Sequence, residues 1–186
     1  MLRHSTFDSP QIHQGTVSEL RAPNIQNREP LSALPDGAFW TSIPITDDED
    51  SWTMSGENLR SESPRWEVHF DVTLVRVARI DSAREWVDLI ESNTATVSGS
   101  NCKYPDWPAI AGSWDAVHLS PAGLLLAHPK ISTTRFITAD GSGYAHSQAG
   151  PYVSVADWSA ASTAWLREPP SVAFRLVGDG KDAPSS

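Results

Sequence analysis

The segment Gly37-Ala38-Phe39-Trp40-Thr41-Ser42 places two bulky aromatic side chains beside two hydroxyls, directly after a Pro-Asp-Gly turn signal. An apolar run of this length that follows turn residues predicts a β-strand over residues 39–43. Because successive side chains of a strand point to opposite faces, Trp40 and Ser42 should share one face and Phe39 should lie in the core on the other. The face of Trp40 and Ser42 suits a flat, nucleotide-like ring, but an ordinary buried strand explains the same residues.

Composition and charge restrict the class of protein. The chain has 186 residues, the usual size of one domain, and a net charge of −9. An acidic chain does not hold a phosphate backbone by bulk electrostatics, although a local basic cleft would still permit a nucleic-acid substrate. The single cysteine, Cys102, excludes an internal disulfide and a cysteine-rich zinc site. We interpret it as an incidental thiol, which fits a reducing compartment.

The sequence lacks membrane, export and metal signals. No apolar run approaches the ~20 residues of a transmembrane helix, and the N-terminal residues lack the apolar core of a signal peptide. We therefore expect a monomer without membrane contact, in the cytoplasm or exported by a route that needs no cleaved signal. The six histidines are scattered without metal-ligand spacing, so no metal site is predicted.

The clearest secondary-structure signal is a strand followed by a helix over residues 66–93. Apolar and polar residues alternate through the first part, which predicts a strand with one buried face. The alternation changes phase at residues 74–75, which predicts a bulge or a break. Ser82, with Glu85 three positions later, forms a capping-box pattern ahead of apolar residues at helical spacing. A helix should follow and end at Asn93.

The other elements are assigned from shorter patterns. Further strands are predicted at residues 1–7, 114–120, 124–127, 135–138 and 172–177, with a turn at 121–123. Long loops are predicted at residues 8–36, 51–65 and 94–105. Asp106 is expected to cap a short helix through Ile110, and the segment 157–166 fits either a helix or a strand. These elements indicate an α+β fold with few short helices and long loops. The sequence shows no βαβ alternation, no Gly-rich dinucleotide fingerprint and no phosphate loop.

Four segments resemble motifs of the ADP-ribosyltransferase-like fold of bacterial and phage proteins. Leu2-Arg3-His4-Ser5-Thr6 is similar to the Arg or His motif of the first strand, and Phe39-Trp40-Thr41-Ser42 looks like the Ser-Thr-Ser-type motif of the second. Trp114-Asp115-Ala116-Val117-His118 resembles the Tyr-Asp-Gly-Val strand of such families. Trp-Ser-Ala-Ala-Ser-Thr-Ala-Trp-Leu at residues 158–166 resembles a Trp-Asp-x-Glu-Ser-Thr-x-Trp-Leu segment. Together the four segments span most of the chain, although each is short.

The resemblance implies a split β-sheet core, one domain over residues 1–177 and a disordered tail at 178–186. It implies NAD as the substrate, bound by residues of these four motifs: Arg3, His4, Ser5, Trp40, Thr41, Ser42, His118 and Ser162. The implied activity is transfer of ADP-ribose from NAD to an acceptor, or NAD hydrolysis, in a toxin or a modification enzyme. The acceptor stays open between a protein, a small molecule and a nucleic acid, and the acidic composition favours the first two.

The catalytic residues implied by the resemblance are Arg3, Ser42, Ala161 and Asp115. Arg3 would hold the diphosphate or a ribose hydroxyl, and Ser42 would fix the nicotinamide ribose. The transferases of this fold carry a glutamate at the position that aligns with Ala161, and a methyl group cannot stabilise a positive charge developing on the ribose. Asp115 and Asp157 are the nearest other acids.

Alanine at position 161 leaves several explanations. The alignment is wrong, the acid comes from another position, or the chain lacks the acid, either as a natural binding-only relative or through an engineered Glu-to-Ala substitution. A chain without the acid would be a non-catalytic domain of the same fold that binds NAD, another nucleotide or a protein. A hypothesis from another class is an α+β interaction domain that uses exposed aromatic side chains and no cofactor.

Overall fold

The computed structural model describes residues 7–17, 23–46, 49–56, 63–99, 101–127 and 152–177. The predicted strand at 135–138, the tail at 178–186 and all but the last residue of the predicted strand at 1–7 lie outside this part of the chain. The described strands are β1 (Gln11–Gln14), β2 (Gln26–Asn27), β3 (Pro35–Asp36), β4 (Phe39–Ser42), β5 (Arg65–His69), β6 (Val77–Ile80), β7 (Thr94–Thr96), β8 (Lys103–Pro105), β9 (Ala116–Leu119), β10 (Ser162–Trp165) and β11 (Ala173–Leu176). The described α-helices are α1 (Ser51–Met54), α2 (Ala83–Ser92), α3 (Trp107–Ser113) and α4 (Pro121–Leu126).

Seven of these strands form one sheet in the order β11, β5, β1, β4, β10, β9, β6. All neighbours are antiparallel except β6 and β9, which run parallel. The pairs β2–β3 and β7–β8 form separate two-stranded ribbons. The predicted α+β class is therefore confirmed, with many short strands and few short helices. No helix within the described residues is long and apolar enough to cross a membrane.

Strand β4 is the predicted strand of the opening segment, and it lies in the middle of the sheet. Ser42 pairs with Ile12 of β1 on one side and with Ser162 of β10 on the other. Directly paired residues share a face, so the side of Trp40 and Ser42 continues across the sheet. We call this side the helix face. It carries the residues Trp40, Ser42, Ile12, Ala78, Ile80, Val117, Leu119, Ser162 and Ala164.

Each face of the sheet carries its own apolar core. On the helix face, side chains of β6, β9 and β10 pack with Trp86 and Ile90 of α2 and with Trp107 and Ile110 of α3. On the opposite face, Phe39 and Trp165 pack with aromatic and aliphatic side chains of β5 and its neighbours. A sheet buried on both faces explains why β9 and β10 are buried at every position.

Strands β1, β2 and β3 all lie within residues 8–36, which were predicted to be a loop, so that prediction is wrong at these three places. The sequence Gln-Ile-His-Gln has one apolar residue and no strand signal, yet β1 pairs with both β4 and β5. The buried Gln11 side chain accepts a hydrogen bond from the Thr41 hydroxyl. A ring nitrogen of His13 lies 2.9 Å from the Trp40 carbonyl oxygen. Polar partners on β4 therefore offset the burial of polar side chains.

The predicted strand–helix unit is confirmed in β5 and α2, with the change of phase taken up by a 3₁₀ turn at Val72–Leu74. The capping box is formed differently from the prediction. Ser82 is the N-cap residue but makes no side-chain cap bond. The Glu85 carboxylate instead accepts from the Asp81 amide at 2.8 Å and the Ser82 hydroxyl at 3.0 Å. The negative charge of this carboxylate also interacts favourably with the positive, N-terminal end of the helix dipole.

Four further assignments change. Residues 51–65, predicted as a loop, contain helix α1 and the first residue of β5. Residues 94–105, predicted as a loop, contain the ribbon β7–β8. Residues 121–127, predicted as a turn and a strand, contain helix α4, which begins after Ser120 because the Ser120 hydroxyl accepts from the Gly123 amide at 3.0 Å. The chain between β6 and β9 includes α2 and α3, so one parallel crossover occurs where no βαβ alternation was expected.

The predicted short helix after Asp106 and the last strand are confirmed as α3 and β11. The ambiguous segment 157–166 contains strand β10.

Candidate functional site

A cavity of about 430 Å³ opens beside Trp40, and its lining includes Trp40 and Ser162 of the helix face as well as His13 and Phe39 of the opposite face. Its volume lies within the 300–1,000 Å³ typical of small-molecule sites. Three tryptophans, Trp40, Trp52 and Trp158, contribute to its wall. The rings of Trp40 and Trp158 meet edge to face, with centroids 5.0 Å apart. The cavity is therefore aromatic on one side, which suits a flat ring of a ligand.

The rings of Trp158 and Trp52 are held in place by contacts from distant parts of the chain. The Trp158 indole nitrogen donates to the Ala33 carbonyl at 3.1 Å, and the side chain is buried. Trp52 lies on the short helix α1, whose Ser51 hydroxyl donates to the Ala161 carbonyl. These two contacts fix the aromatic wall before any ligand binds, which lowers the entropy cost of binding.

Helix α1 depends on one buried carboxylate. Asp50 is fully buried and accepts from the backbone amides of Trp52 at 2.9 Å and Thr53 at 3.1 Å. It also pairs with Arg65 of β5 at 2.9 Å. A helix of four residues cannot form by propensity alone. The cap and the ion pair therefore position Trp52 against the cavity.

The rim of the cavity includes Arg28 and Leu34, from the segment between residues 23 and 36. This segment is anchored at Asn27, whose side-chain oxygen accepts from the Trp107 amide at 2.8 Å and whose amide nitrogen donates to Asp106 at 3.3 Å. Gly37 closes the segment with a φ of +74° and approaches the Asn24 backbone closely. Contacts at Asn27 and at Gly37 therefore hold this segment in place.

The polar groups of the cavity include one basic and one acidic side chain. Arg28 and Asp157 both line it, with Gln14 and Ser162 nearby. Within the part of the chain that the structure describes, neither the Arg28 guanidinium nor the Asp157 carboxylate makes a hydrogen bond or an ion pair. Both residues are exposed. The cavity thus offers a positive and a negative group that no described side chain neutralises.

A second cavity of about 340 Å³ lies toward β5 and β11 and is lined in part by Glu67, His69 and Arg175. Its charged groups satisfy one another, because Glu67 lies 2.9 Å from the His69 ring nitrogen and 3.9 Å from Arg175. This internal pairing leaves less charge for a ligand than the first cavity offers.

Among the residues expected to bind NAD, Trp40 and Ser162 line the first cavity. Ser42 shares their face and pairs with Ser162, but it is fully buried and its hydroxyl donates to the Ile12 carbonyl at 3.2 Å. Arg3, His4 and Ser5 lie outside the described residues. The structure therefore brings together the β4 and β10 parts of the expected site.

Thr41 and His118 lie on the opposite face, away from Trp40 and Ser42. The Thr41 hydroxyl accepts from the Trp165 indole nitrogen at 2.9 Å. A ring nitrogen of His118 lies 2.8 Å from the Thr163 hydroxyl. All of these side chains are buried, and none of them lines the first cavity. In this structure they connect β4, β9 and β10 within the opposite-face core.

Asp115 and Ala161, the other expected catalytic residues, also do not line the cavity. Asp115 precedes β9 and accepts from the Arg76 guanidinium at 2.6 and 3.1 Å and from the Arg76 amide at 2.9 Å. These bonds lower the pKa of Asp115 despite its partial burial. Ala161 is buried, and its carbonyl accepts from the Ser51 hydroxyl. The observed contacts of both residues are structural.

Burial of His118 predicts a stability that depends on pH. Desolvation, with a smaller effect of Arg79, lowers the pKa of His118 from 6.5 to about 4, although Asp81 and Asp8 act in the other direction. The unfolded chain therefore takes up the proton first as the pH falls. We expect stability to decrease from about pH 6.5 until about pH 4, with His118 contributing about 3 kcal/mol in total.

Urea denaturation at pH 7.5, 5.5 and 4.5 measures this effect. The variant His118→Gln should be less stable at pH 7.5 but should lose less stability on acidification than the wild type. His69→Gln, which changes a half-exposed histidine, is the control for the substitution itself. An equal loss in the wild type and in His118→Gln between pH 7.5 and 4.5 would show that another group is responsible.

Several cavity residues were not identified from the sequence. Trp52 follows the Asp50 cap, and an acidic residue ahead of a short apolar stretch is a signal that could have found α1. Arg28 lies in a polar segment without periodicity, and no sequence pattern relates it to Trp40. Asp157 was considered only as a reserve acid. Among the described residues, no three His, Cys, Asp or Glu side chains form a group that could hold a metal ion.

Comparison with known proteins adds no relative: no protein-family model, no curated protein and no solved structure matches this chain.

Proposed function

We propose that the first cavity binds the nicotinamide-ribose end of NAD and that the protein cleaves the bond between nicotinamide and ribose. The observation that carries this proposal is an aromatic cavity that also holds the Asp157 carboxylate, for which the described residues provide no partner. The proposal includes the ADP-ribosyltransferase-like architecture that the sequence motifs resemble. It also keeps the roles expected of Arg3, His4 and Ser5 at the same site.

The residues of the cavity fit this substrate. The nicotinamide ring of NAD is flat and positively charged, so the half-buried Trp40 ring can bind it by stacking and by cation–π attraction. The Ser162 hydroxyl donates to the Ala160 carbonyl at 3.0 Å, which leaves its oxygen free to accept from a ribose hydroxyl. A cavity of about 430 Å³ suits one half of a dinucleotide, so the adenosine half would extend outside it.

Asp157 has the chemical properties that the cleavage step requires. The bond between the ribose C1′ and the nicotinamide nitrogen breaks, and nicotinamide leaves as a neutral molecule with the bonding electron pair. The oxygen or nitrogen of the acceptor attacks C1′ and loses its proton; with water as the acceptor, the products are ADP-ribose, nicotinamide and a proton. A carboxylate stabilises the positive charge on the ribose and can accept that proton.

Substitution of Asp157 tests the assignment. We expect Asp157→Asn to lower the rate of nicotinamide release from NAD by about 100-fold, because the amide carries no charge. Binding of NAD, followed by quenching of tryptophan fluorescence, should weaken much less. Asp88→Asn, on an exposed side chain of α2, is the matched control and should leave both quantities unchanged. Wild-type rates in Asp157→Asn would exclude Asp157 from the reaction.

A second candidate is nucleotide binding without turnover. It is favoured by the methyl side chain of Ala161, where the resemblance expects a glutamate. This candidate predicts saturable quenching of tryptophan fluorescence by NAD without nicotinamide release, both in the wild type and in Ala161→Glu. Quenching with release supports the first candidate, and quenching without release supports the second. Absence of quenching contradicts both and favours an interaction domain without a cofactor.

A further inference from the structure

We infer that Arg28 binds the phosphate next to the ribose and makes the cavity selective for phosphorylated ribosides over unphosphorylated ones. This inference rests on the proposed function, because it concerns a ligand of the same cavity. It differs from the expectation that Arg3 holds the diphosphate, since Arg28 comes from the loop ahead of β3 and from none of the four sequence motifs.

The main observation is that Arg28 differs from the other basic residues. Within the described ranges, every other arginine and lysine forms an ion pair with a carboxylate: Arg65, Arg76, Arg79, Arg84, Lys103, Arg167 and Arg175. The chain has an excess of acids, with 23 Asp and Glu against 14 Lys and Arg, so acidic partners are plentiful. An arginine that lines a cavity and has no partner among the described residues has its five donors available for a ligand.

The backbone next to Arg28 is held in place. Asn27 bonds to both Asp106 and Trp107, at the start of α3. Asn27 also pairs with Pro35 in the ribbon β2–β3. The long side chain of Arg28 can therefore reach along the rim of the cavity from a fixed starting point. A guanidinium so placed can bind two phosphate oxygens at once, which an ammonium cannot do with the same geometry.

The charges of the cavity match one particular class of ligand. Arg28 and Asp157 do not pair with each other, so the cavity keeps a positive and a negative group apart. Nicotinamide ribosides that carry a 5′-phosphate have the complementary arrangement: a cationic ring at one end and an anionic phosphate at the other. The aromatic side chains of the cavity would bind the cationic ring, and the ribose would lie between the ring and the phosphate. Arg28 would then bind the phosphate.

Two matched pairs of ligands test the inference by fluorescence titration of the full chain. The first pair is nicotinamide mononucleotide and nicotinamide riboside, and the second is AMP and adenosine; the members of each pair differ by one phosphate. We expect the wild type to bind nicotinamide mononucleotide at least about tenfold more tightly than the riboside, as for a bidentate charge-assisted contact. In Arg28→Gln, this preference should fall below about twofold while riboside binding is unchanged.

Two further variants control for charge and for geometry. Arg84→Gln removes an exposed arginine of α2 that lies outside the cavity, and it should keep the wild-type preference for the phosphate. Arg28→Lys keeps the charge but loses the fork of donors, and it should give an intermediate preference. Because Arg28 is exposed, none of these variants should unfold the protein. Circular dichroism checks that all of them keep the wild-type fold.

The outcomes separate this inference from the proposed function. If nicotinamide riboside binds but the phosphate adds nothing, or if Arg28→Gln keeps the preference, the role of Arg28 is wrong and the nicotinamide site stands. If the nicotinamide ligands do not bind but AMP binds better than adenosine only when Arg28 is present, the phosphate site stands and the nicotinamide proposal fails. If none of the four ligands binds, both are wrong.

Discussion

Replacement of Gly37 by alanine should destabilise the protein by about 3–5 kcal/mol, since two separate costs add at this position. Its φ of +74° is in the left-handed region, which costs a residue with a Cβ about 1–2 kcal/mol. The new Cβ would also lie far inside van der Waals contact with the Asn24 carbonyl oxygen. That oxygen belongs to the backbone of a segment anchored elsewhere, so it cannot move away without displacing the rim of the cavity.

Gly56→Ala is the matched control for this variant. Gly56 has nearly the same backbone conformation, with a φ of +77°, but an added Cβ would meet nothing within 4 Å. It should therefore show only the conformational cost of about 1–2 kcal/mol. Urea denaturation of both variants gives the cost of the clash by difference. Equal midpoints for the two variants would mean that the segment around Asn24 relaxes freely and does not fix the rim.

Replacement of Asp50 by alanine should cost about 3–5 kcal/mol, the loss found when one partner of a buried ion pair is removed. The Asp50 carboxylate is fully buried and satisfies two amides of α1 as well as Arg65. Its removal leaves these three donors without their acceptor. Helix α1 should then detach from the sheet, and Trp52 should move away from the cavity. Ligand binding should weaken together with stability.

The control for Asp50 is Asp71, which caps the 3₁₀ turn at Val72–Leu74. Asp71 likewise accepts from the amide two residues later, Thr73, but its side chain is exposed and forms no ion pair with a described residue. Asp71→Ala should therefore reduce the urea midpoint far less than Asp50→Ala and leave tryptophan quenching by ligand unchanged. Similar losses for the two variants would show that capping, and not the buried pair, accounts for the role of Asp50.

The elements that were predicted correctly depend on contacts between residues close in sequence. Strand β5 and helix α2 carry their period-two and helical patterns within a few residues, because each buries one side against a core. Helix α3 begins with a proline in its first turn, which is also a local signal. The elements that were missed lack such patterns. Strand β1 is a polar tetrapeptide, and its strand conformation follows from pairing with β4 and β5.

The residues expected at the candidate site also separate into those that line the cavity and those that do not. Trp40 and Ser162 were expected from motifs on two strands, and both line the cavity. Thr41 and His118 were expected beside them, but both are fully buried on the other face, where their side chains bond to Trp165 and Thr163 and do not reach the cavity. The roles proposed for these motifs in NAD binding stay predictions that the titrations test.

The apolar, polar and turn patterns of the sequence were enough to predict the α+β class, the strand at Phe39–Ser42 and the face that Trp40 shares with Ser42. These properties follow from local backbone geometry, which repeats every two or 3.6 residues. The cavity required the tertiary structure. It joins Trp158 to Ala33 and Ser51 to Ala161, pairs separated by more than 100 positions, and it places Arg28 and Asp157 at one cavity, where no described residue pairs with either. Contacts over such separations depend on how the strands order themselves in the sheet, and no short-range pattern in the sequence encodes that order.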